Sequence, residues 1–177
     1  MFSKITILFC LVSFSLNLQA SELEIFHDKT SLMKFKSEDW KNEKLSSTVK
    51  GKFISQPLFN IHRRMQATYE GFSLQEVLDI AFGDKDWRKI KKIRFFAKDG
   101  VVKEAKVKEM IAGFKKHKGI IAIRNKGKED LDLFVKGINT IYPGPFYLVW
   151  SGFSKEDYSG GAFKWPYHLS KIILISK

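Results

Sequence analysis

The chain has 177 residues, and 31 Lys and Arg against 19 Asp and Glu give it a formal net charge of +12. This length suits a single domain and leaves little room for two. The only cysteine is Cys10, so the rest of the chain can form no disulfide, offer no thiolate to a metal and attach no c-type haem.

The first twenty residues have the three parts of a secretory signal peptide. Lys4 supplies the positive start, residues 5–16 are apolar apart from small hydroxyl side chains, and Ala20 is a small residue before the cleavage point. The apolar run is shorter than the roughly 20 residues of a membrane-spanning helix, although an uncleaved anchor is the alternative. We therefore expect a periplasmic or secreted protein that begins at Ser21 and has no stable membrane span.

Residues 21–177 are expected to form one α+β domain with mixed sheets and few short helices. Alternating or β-rich stretches predict strands at 22–26, 50–58, 66–72, 91–97, 119–124, 146–150 and 169–175, with a turn at Gly71. Residues 31–40 begin as a strand pattern and end as a short helix, and 107–112 predict another helix. Asp99-Gly100 predicts a turn after the strand at 91–97.

The clearest helix start is the capping-box sequence SLQE at 73–76, in which Ser73 caps the helix while Glu76 reaches back to it. Helical spacing then places four apolar side chains on one face: Leu74, Val77, Leu78 and Ala81. Gly83 and Asp84 end the helix. The side chains expected in the core are Tyr69, Leu74, Leu78, Phe95, Leu148 and Ile173.

One cluster of cationic side chains is a candidate binding site. His62, Arg63 and Arg64 stand together before a predicted strand, and the planar donor fork of arginine suits phosphate or carboxylate. The alternative is a charged loop. The four histidines are scattered without the close spacing of metal ligands, so no metal site is expected. No catalytic serine motif, phosphate-binding glycine loop or dinucleotide fingerprint is present.

The excess of positive charge bears on partners. Loss of Lys4 with the signal peptide leaves a net charge of about +11. Export argues against nucleic acid, so the charge favours an acidic periplasmic protein, an anionic envelope surface or an anionic ligand. The alternative is a solvated basic surface that serves only solubility.

Several segments, in this order, resemble the sulfite-oxidase-type molybdopterin-binding domain, in particular a small periplasmic branch of that family. They are SL (31–32), SEDW (37–40), YEGFSLQEVL (69–78), FFAKDG (95–100), GPFYLVW (144–150) and WPY (165–167) running through residue 175. The resemblance covers most of residues 21–177. It implies a single sulfite-oxidase-like fold of mixed sheets and, in catalytic members, a molybdenum-dependent oxidoreductase.

The chain departs from that family in its chemistry. Catalytic members hold molybdenum through a cysteine thiolate, which residues 21–177 lack, and Ser or His cannot replace a soft thiolate without changing the metal's electronics. Val101 stands where the family commonly has an aromatic residue. Of the groups that grip the pterin phosphate in enzymes, only His62, Arg63 and Arg64 lie in a comparable region.

These departures decide between the functions that the resemblance allows. We expect a non-catalytic or accessory binding module with no bound cofactor, since a fold does not carry an activity without its site. The alternative is a genuine molybdopterin-dependent oxidoreductase, or a subunit of a periplasmic electron-transfer system. Polyanion binding at the envelope surface is a third hypothesis, which rests on charge alone.

Overall fold

A computed structural model describes residues 22–41, 51–156 and 163–176. The predicted signal peptide at 1–20 lies outside these ranges, as does Lys50 at the start of the predicted third strand. The extent of the domain over residues 21–177 also stays a prediction.

Short strands dominate the described ranges. The strands are β1 (Glu22–His27), β2 (Thr30–Lys36), β3 (Phe53–Asn60), β4 (Met65–Ser73), β5 (Lys92–Ala97), β6 (Val102–Lys106), β7 (Gly119–Asn125), β8 (Phe134–Lys136), β9 (Asn139–Ile141), β10 (Tyr147–Trp150) and β11 (Leu169–Ile175). The helices are α1 (Ser37–Lys41), α2 (Leu74–Phe82) and α3 (Val107–Ala112), with a 3-10 turn at Trp87–Lys89.

The strands form two larger sheets and a hairpin. The first sheet has the order β2-β1-β11-β5-β6, and it is mixed because β1 and β11 run parallel. The second sheet has the order β10-β7-β4-β3 and is antiparallel. Among the described residues, β8 and β9 pair only with each other. The prediction of an α+β protein with mixed strand pairing and few short helices is therefore confirmed.

Apolar side chains from both larger sheets and from α2 and α3 meet in one core. Leu23 and Ile25 alternate with more exposed residues along β1, as expected for a strand with one buried face. Every residue of β10 and the first five residues of β7 are buried, so these strands are covered on both faces. Five of the six predicted core residues are buried: Tyr69, Leu74, Leu78, Phe95 and Leu148.

The sixth core prediction, Ile173, is wrong because β11 contains an irregularity. Its register against β5 shifts between Leu169 and Lys171. Before the shift the odd-numbered Leu169 is buried. After it the even-numbered Ile172 and Leu174 are buried instead, so Ile173 is only half-buried. A slip of one residue exchanges the two faces of a strand.

Other predictions need correction as well. Gly71 lies inside β4 and not in a turn.

The capping box is only half formed. The Ser73 hydroxyl accepts from the Glu76 N–H at 3.4 Å, but the Glu76 carboxylate accepts from the backbone N–H of Lys52 at 3.0 Å instead of reaching back to Ser73. Four elements were not expected from the sequence, namely β6, β8, β9 and the 3-10 turn.

Replacing Gly71 by Ala should destabilise the protein. An added Cβ at this position would lie 2.1 Å from the Ile121 carbonyl oxygen and 2.8 Å from the Ala122 Cα. Both are backbone atoms, so relieving the overlap would require the paired strands to shift, at a cost in free energy. We expect a loss of about 1–3 kcal/mol in the free energy of unfolding, measured by urea denaturation. Ser55→Ala, at an exposed position on the neighbouring β3, is the control and should change stability little. Equal midpoints for Gly71→Ala and wild type would contradict the close strand approach.

Candidate functional site

The predicted cationic cluster lies in the turn between β3 and β4, which is held by the buried side chain of Asn60. The Asn60 Oδ1 accepts from the backbone N–H groups of His62 at 2.9 Å and Arg63 at 3.0 Å. Its Nδ2 donates to the hydroxyls of Tyr69 at 2.7 Å and Tyr147 at 3.1 Å. Since a buried amide is costly unless it is hydrogen-bonded, these contacts determine the shape of the turn.

His62 is directed inward among aromatic rings. Its Nδ1 lies 3.0 Å from the Tyr147 hydroxyl, and its ring is stacked near Phe134 and Tyr147, with Trp165 and Tyr167 close by. Burial, reinforced by the positive charges of Lys136 and Lys103, lowers the pKa of His62 to about 4. At neutral pH the imidazole is uncharged, so it contributes no cation to an anion site.

Arg63 is paired within the protein. Its Nη1 donates to the Asp132 carboxylate at 3.2 Å, and both side chains are mostly covered, at 13% and 24% exposed. Burial alone would lower the pKa of Arg63, but hydrogen bonds and charge at Tyr69 and Asp132 outweigh it and raise the pKa. Arg64 is exposed and adopts a left-handed backbone at φ 53°. The three predicted residues are thus adjacent in the chain but have three different environments.

A cavity of about 330 Å³ opens beside Arg63. Its charged lining includes Arg63, Lys126, Lys128 and Asp132, and Asp132 also forms an ion pair with Lys128. The carboxylate therefore offsets part of the positive charge that an anion would meet. The assignment of His62, Arg63 and Arg64 to cofactor binding stays a prediction.

Molybdopterin-bound molybdenum does not fit the donors of this corner. The ring nitrogen of His62 faces the Tyr147 hydroxyl, four aromatic rings surround it, and residues 21–177 contain no thiolate. Within the described ranges no three His, Cys, Asp or Glu side chains are grouped so that they could hold a metal.

A second cluster of positive charge lines a groove of about 680 Å³ that the sequence analysis did not identify. We name it the basic groove, and its lining is Arg88, Lys89, Ile90, Lys91, Lys92, Lys106, Lys108 and Ile111. The run RKIKK at 88–92 is the sequence signal that could have indicated it. The remaining lining residues come from the end of β6 and from α3, which strand pairing brings beside that run.

Local structure directs these cations outward. The Asp86 side chain accepts from the Arg88 N–H at 3.1 Å and caps the 3-10 turn. Trp87 is fully buried, and its indole donates to the Asp79 carboxylate at 2.7 Å. With the tryptophan anchored inside, Arg88 and Lys89 lie on the solvent side of the turn. Lys92 then pairs with Lys106 across β5 and β6, so the two segments meet at the groove.

Ion pairs neutralise only part of the basic groove. Arg88 contacts Asp79 at 2.7 Å, Lys92 contacts Glu104 at 2.9 Å and Lys106 contacts Glu109 at 2.8 Å. Lys89 lies 3.8 Å from Asp86. Lys91 and Lys108 have no acidic partner within 4 Å among the described residues. The groove therefore keeps a net positive charge above two partly buried isoleucines, Ile90 and Ile111.

No protein-family model matches the chain, and no curated protein matches it. No helix within the described ranges has the length and apolar composition that crossing a bilayer requires. The site must therefore be interpreted from its own chemistry.

The lowered pKa of His62 predicts a pH-dependent contribution to stability. The unfolded chain binds a proton at His62 near pH 6.5, whereas the folded protein binds it only near pH 4. The free energy of unfolding should therefore fall as the pH is lowered through this window, by on the order of 3 kcal/mol, and the contribution should be complete above pH 6.5.

Urea denaturation of wild type and His62→Gln between pH 7 and pH 4 measures this effect. The difference between the two proteins should change across the window because only wild type carries the titrating ring. Carboxylates, which titrate in both proteins, cancel in the comparison. Parallel stability curves would show that His62 takes up its proton at the same pH in the folded and unfolded states.

Proposed function

We propose that this protein is an exported accessory module that binds an acidic protein segment in its basic groove and performs no redox chemistry. The observation that carries the proposal is a groove with six cationic side chains, two of them without an acidic partner in the described structure, over an apolar floor. The proposal combines this geometry with the expected export and the high net charge.

We further propose that the fold is of the sulfite-oxidase type. Ordered placement of the resembling segments supports this: YEGFSLQEVL spans the end of β4 and most of α2, and FFAKDG ends β5 at its turn. GPFYLVW leads into β10, and WPY leads into β11. Each segment that carries the resemblance thus borders or forms part of one of the two main sheets.

Ligand chemistry favours a binding role over catalysis. Molybdenum in catalytic members of the proposed family needs a thiolate, and residues 21–177 supply only methionine thioethers, which are neutral and weaker ligands. His62 is uncharged and Arg63 is already paired, so the corner offers little free positive charge to a pterin phosphate. The oxidoreductase alternative has no comparable observation in its favour.

The chemistry of the groove indicates the kind of partner. Lys91 and Lys108 offer two cations for carboxylates, while Ile90 and Ile111 offer apolar contact between them. An extended acidic segment with one or two aliphatic side chains satisfies both features. Charge complementarity of this kind raises the rate of association and selects partners by sign.

Binding of a fluorescently labelled decaglutamate peptide to the exported chain tests the groove. Lys91→Glu/Lys108→Glu should weaken binding about ten-fold or more, because it replaces the two unneutralised cations with like charges; ten-fold corresponds to about 1.4 kcal/mol. Wild-type binding should also weaken as salt rises from 0.1 M to 1 M, over which the Debye length falls from about 10 Å to 3 Å.

Lys29→Glu/Lys155→Glu is the matched control, since it makes the same change in net charge at two exposed lysines outside the groove. This control should retain most of the affinity. If both double variants lose binding equally, only net charge matters and the groove is not the site. A labelled decaglutamine peptide should not bind to any of the proteins.

A further inference from the structure

The hairpin of β8 and β9 covers the His62 corner with one face, and no described residue covers its other face. Phe134 pairs with Ile141, and the Phe134 ring lies 5.7 Å from Tyr167 and 6.1 Å from His62. Because side chains alternate along a strand, Leu133 and Val135 are directed to the opposite face. Nothing in the described structure packs on that outer face.

The outer side and tip of this hairpin expose large apolar side chains beside the polar Asn139 and Thr140. Leu133 is 58% exposed, Val135 is 68% exposed and Ile138, at the tip, is 100% exposed. Tyr142, just after β9, is 38% exposed. These four are a majority of the large hydrophobic side chains that are exposed in the described ranges. Such a concentration on one protruding element indicates a contact surface.

Three lysines lie near this hairpin, namely Lys136, Lys103 and Lys98. The Lys136 ammonium lies 5.7 Å from the Tyr167 ring on its inner side, and both Lys136 and Lys103 lie close enough to His62 to depress its pKa. Lys98 lies at the base, where its N–H donates to the His168 carbonyl at 2.9 Å while the His168 ring contacts the Tyr142 carbonyl. Two acidic side chains also lie at this base: Asp130 accepts from the Tyr142 hydroxyl at 3.1 Å, and Asp132, directly before Leu133, is paired with Arg63 and Lys128.

We propose that the tip of this hairpin docks on an anionic lipid bilayer, with Ile138 and Val135 entering the interface and the neighbouring lysines contacting headgroups. A protruding aliphatic tip needs no shaped cavity in a fluid bilayer, and lysine and tyrosine beside it are the side chains that suit the headgroup region. A second copy of the chain fits less well, because pairing two such tips would bring like charges together.

This surface is separate from the basic groove. The groove lies where Lys92 pairs with Lys106, and the base of the hairpin lies near the other end of the same strand pair, where Phe96 pairs with Val102. Strands of this length span roughly 17 Å. A bilayer contact at the hairpin therefore leaves the groove open, and the two binding events can be tested independently.

A single labelled cysteine tests the proposal directly, because residues 21–177 contain no other thiol. Ile138→Cys carrying the environment-sensitive dye NBD should show a several-fold rise and a blue shift in emission on vesicles of phosphatidylethanolamine and phosphatidylglycerol. Neutral phosphatidylcholine vesicles should give little change. The same dye on Lys85→Cys, an exposed position in the turn after α2, should report no insertion into either kind of vesicle.

Cosedimentation of unlabelled protein guards against an effect of the dye. Wild type should bind the anionic vesicles, and Val135→Ser/Ile138→Ser should lose binding about ten-fold or more, while Lys91→Glu/Lys108→Glu should leave the NBD signal at position 138 in place. Absence of wild-type binding, or equal signals from positions 138 and 85, would overturn the proposal. A shift at position 138 that grows with protein concentration without lipid would overturn it in favour of self-association.

Discussion

The side chain of Asn60 joins the two outer strands of the four-stranded sheet. In that sheet β3 and β10 are separated by β4 and β7, so in a flat sheet they would lie about 14 Å apart. Yet the Asn60 amide, at the end of β3, lies 3.1 Å from the Tyr147 hydroxyl at the start of β10. Cα atoms of β3 and β10 come within 8 Å of each other, so the sheet curls until its edges approach, and the buried amide is a polar contact between them.

The rest of the corner follows from that contact. With both Asn60 polar atoms engaged, the following turn places His62 beside Tyr147 and Arg63 beside Asp132. Aromatic rings then exclude water from His62, which keeps it neutral, and Asp132 neutralises Arg63. Asn60, His62 and Arg63 each have polar partners within the protein, so this corner serves a structural role. The basic groove and the hairpin tip are therefore the stronger candidates for binding surfaces. Removing one member would leave buried partners unsatisfied, at about 1–3 kcal/mol for each group.

Local patterns account for the parts of the fold that could be predicted from the sequence. Alternation along β1 and the spacing of Leu74 and Leu78 in α2 depend on near neighbours, and α3 has the bounds that its pattern predicts. β6 escaped prediction because it is an exposed edge strand with charged residues and no apolar alternation. The partial exposure of Ile173 could not be predicted because it depends on how β11 pairs with β5. The residues of β5 lie far from β11 along the chain, so a local sequence pattern does not show this pairing.

The candidate sites were harder to predict for the same reason. His62 and Arg63 were identified as a cluster, but their charge state depends on partners such as Asp132 and Tyr147, which lie about 70 and 85 residues away along the chain. The basic groove unites a visible run at 88–92 with cations of β6 and α3 through strand pairing. Composition favours an anionic partner, but the surface proposed for it can be located only through the pairing of β5 with β6.

We propose that this protein is a binding module and not a molybdenum enzyme. The most direct measurement is the molybdenum content of the protein purified from its native host, determined by elemental analysis and normalised to protein concentration. We expect a content far below one atom per chain, because residues 21–177 offer no thiolate to hold the metal. A reproducible content near one molybdenum per chain would contradict it.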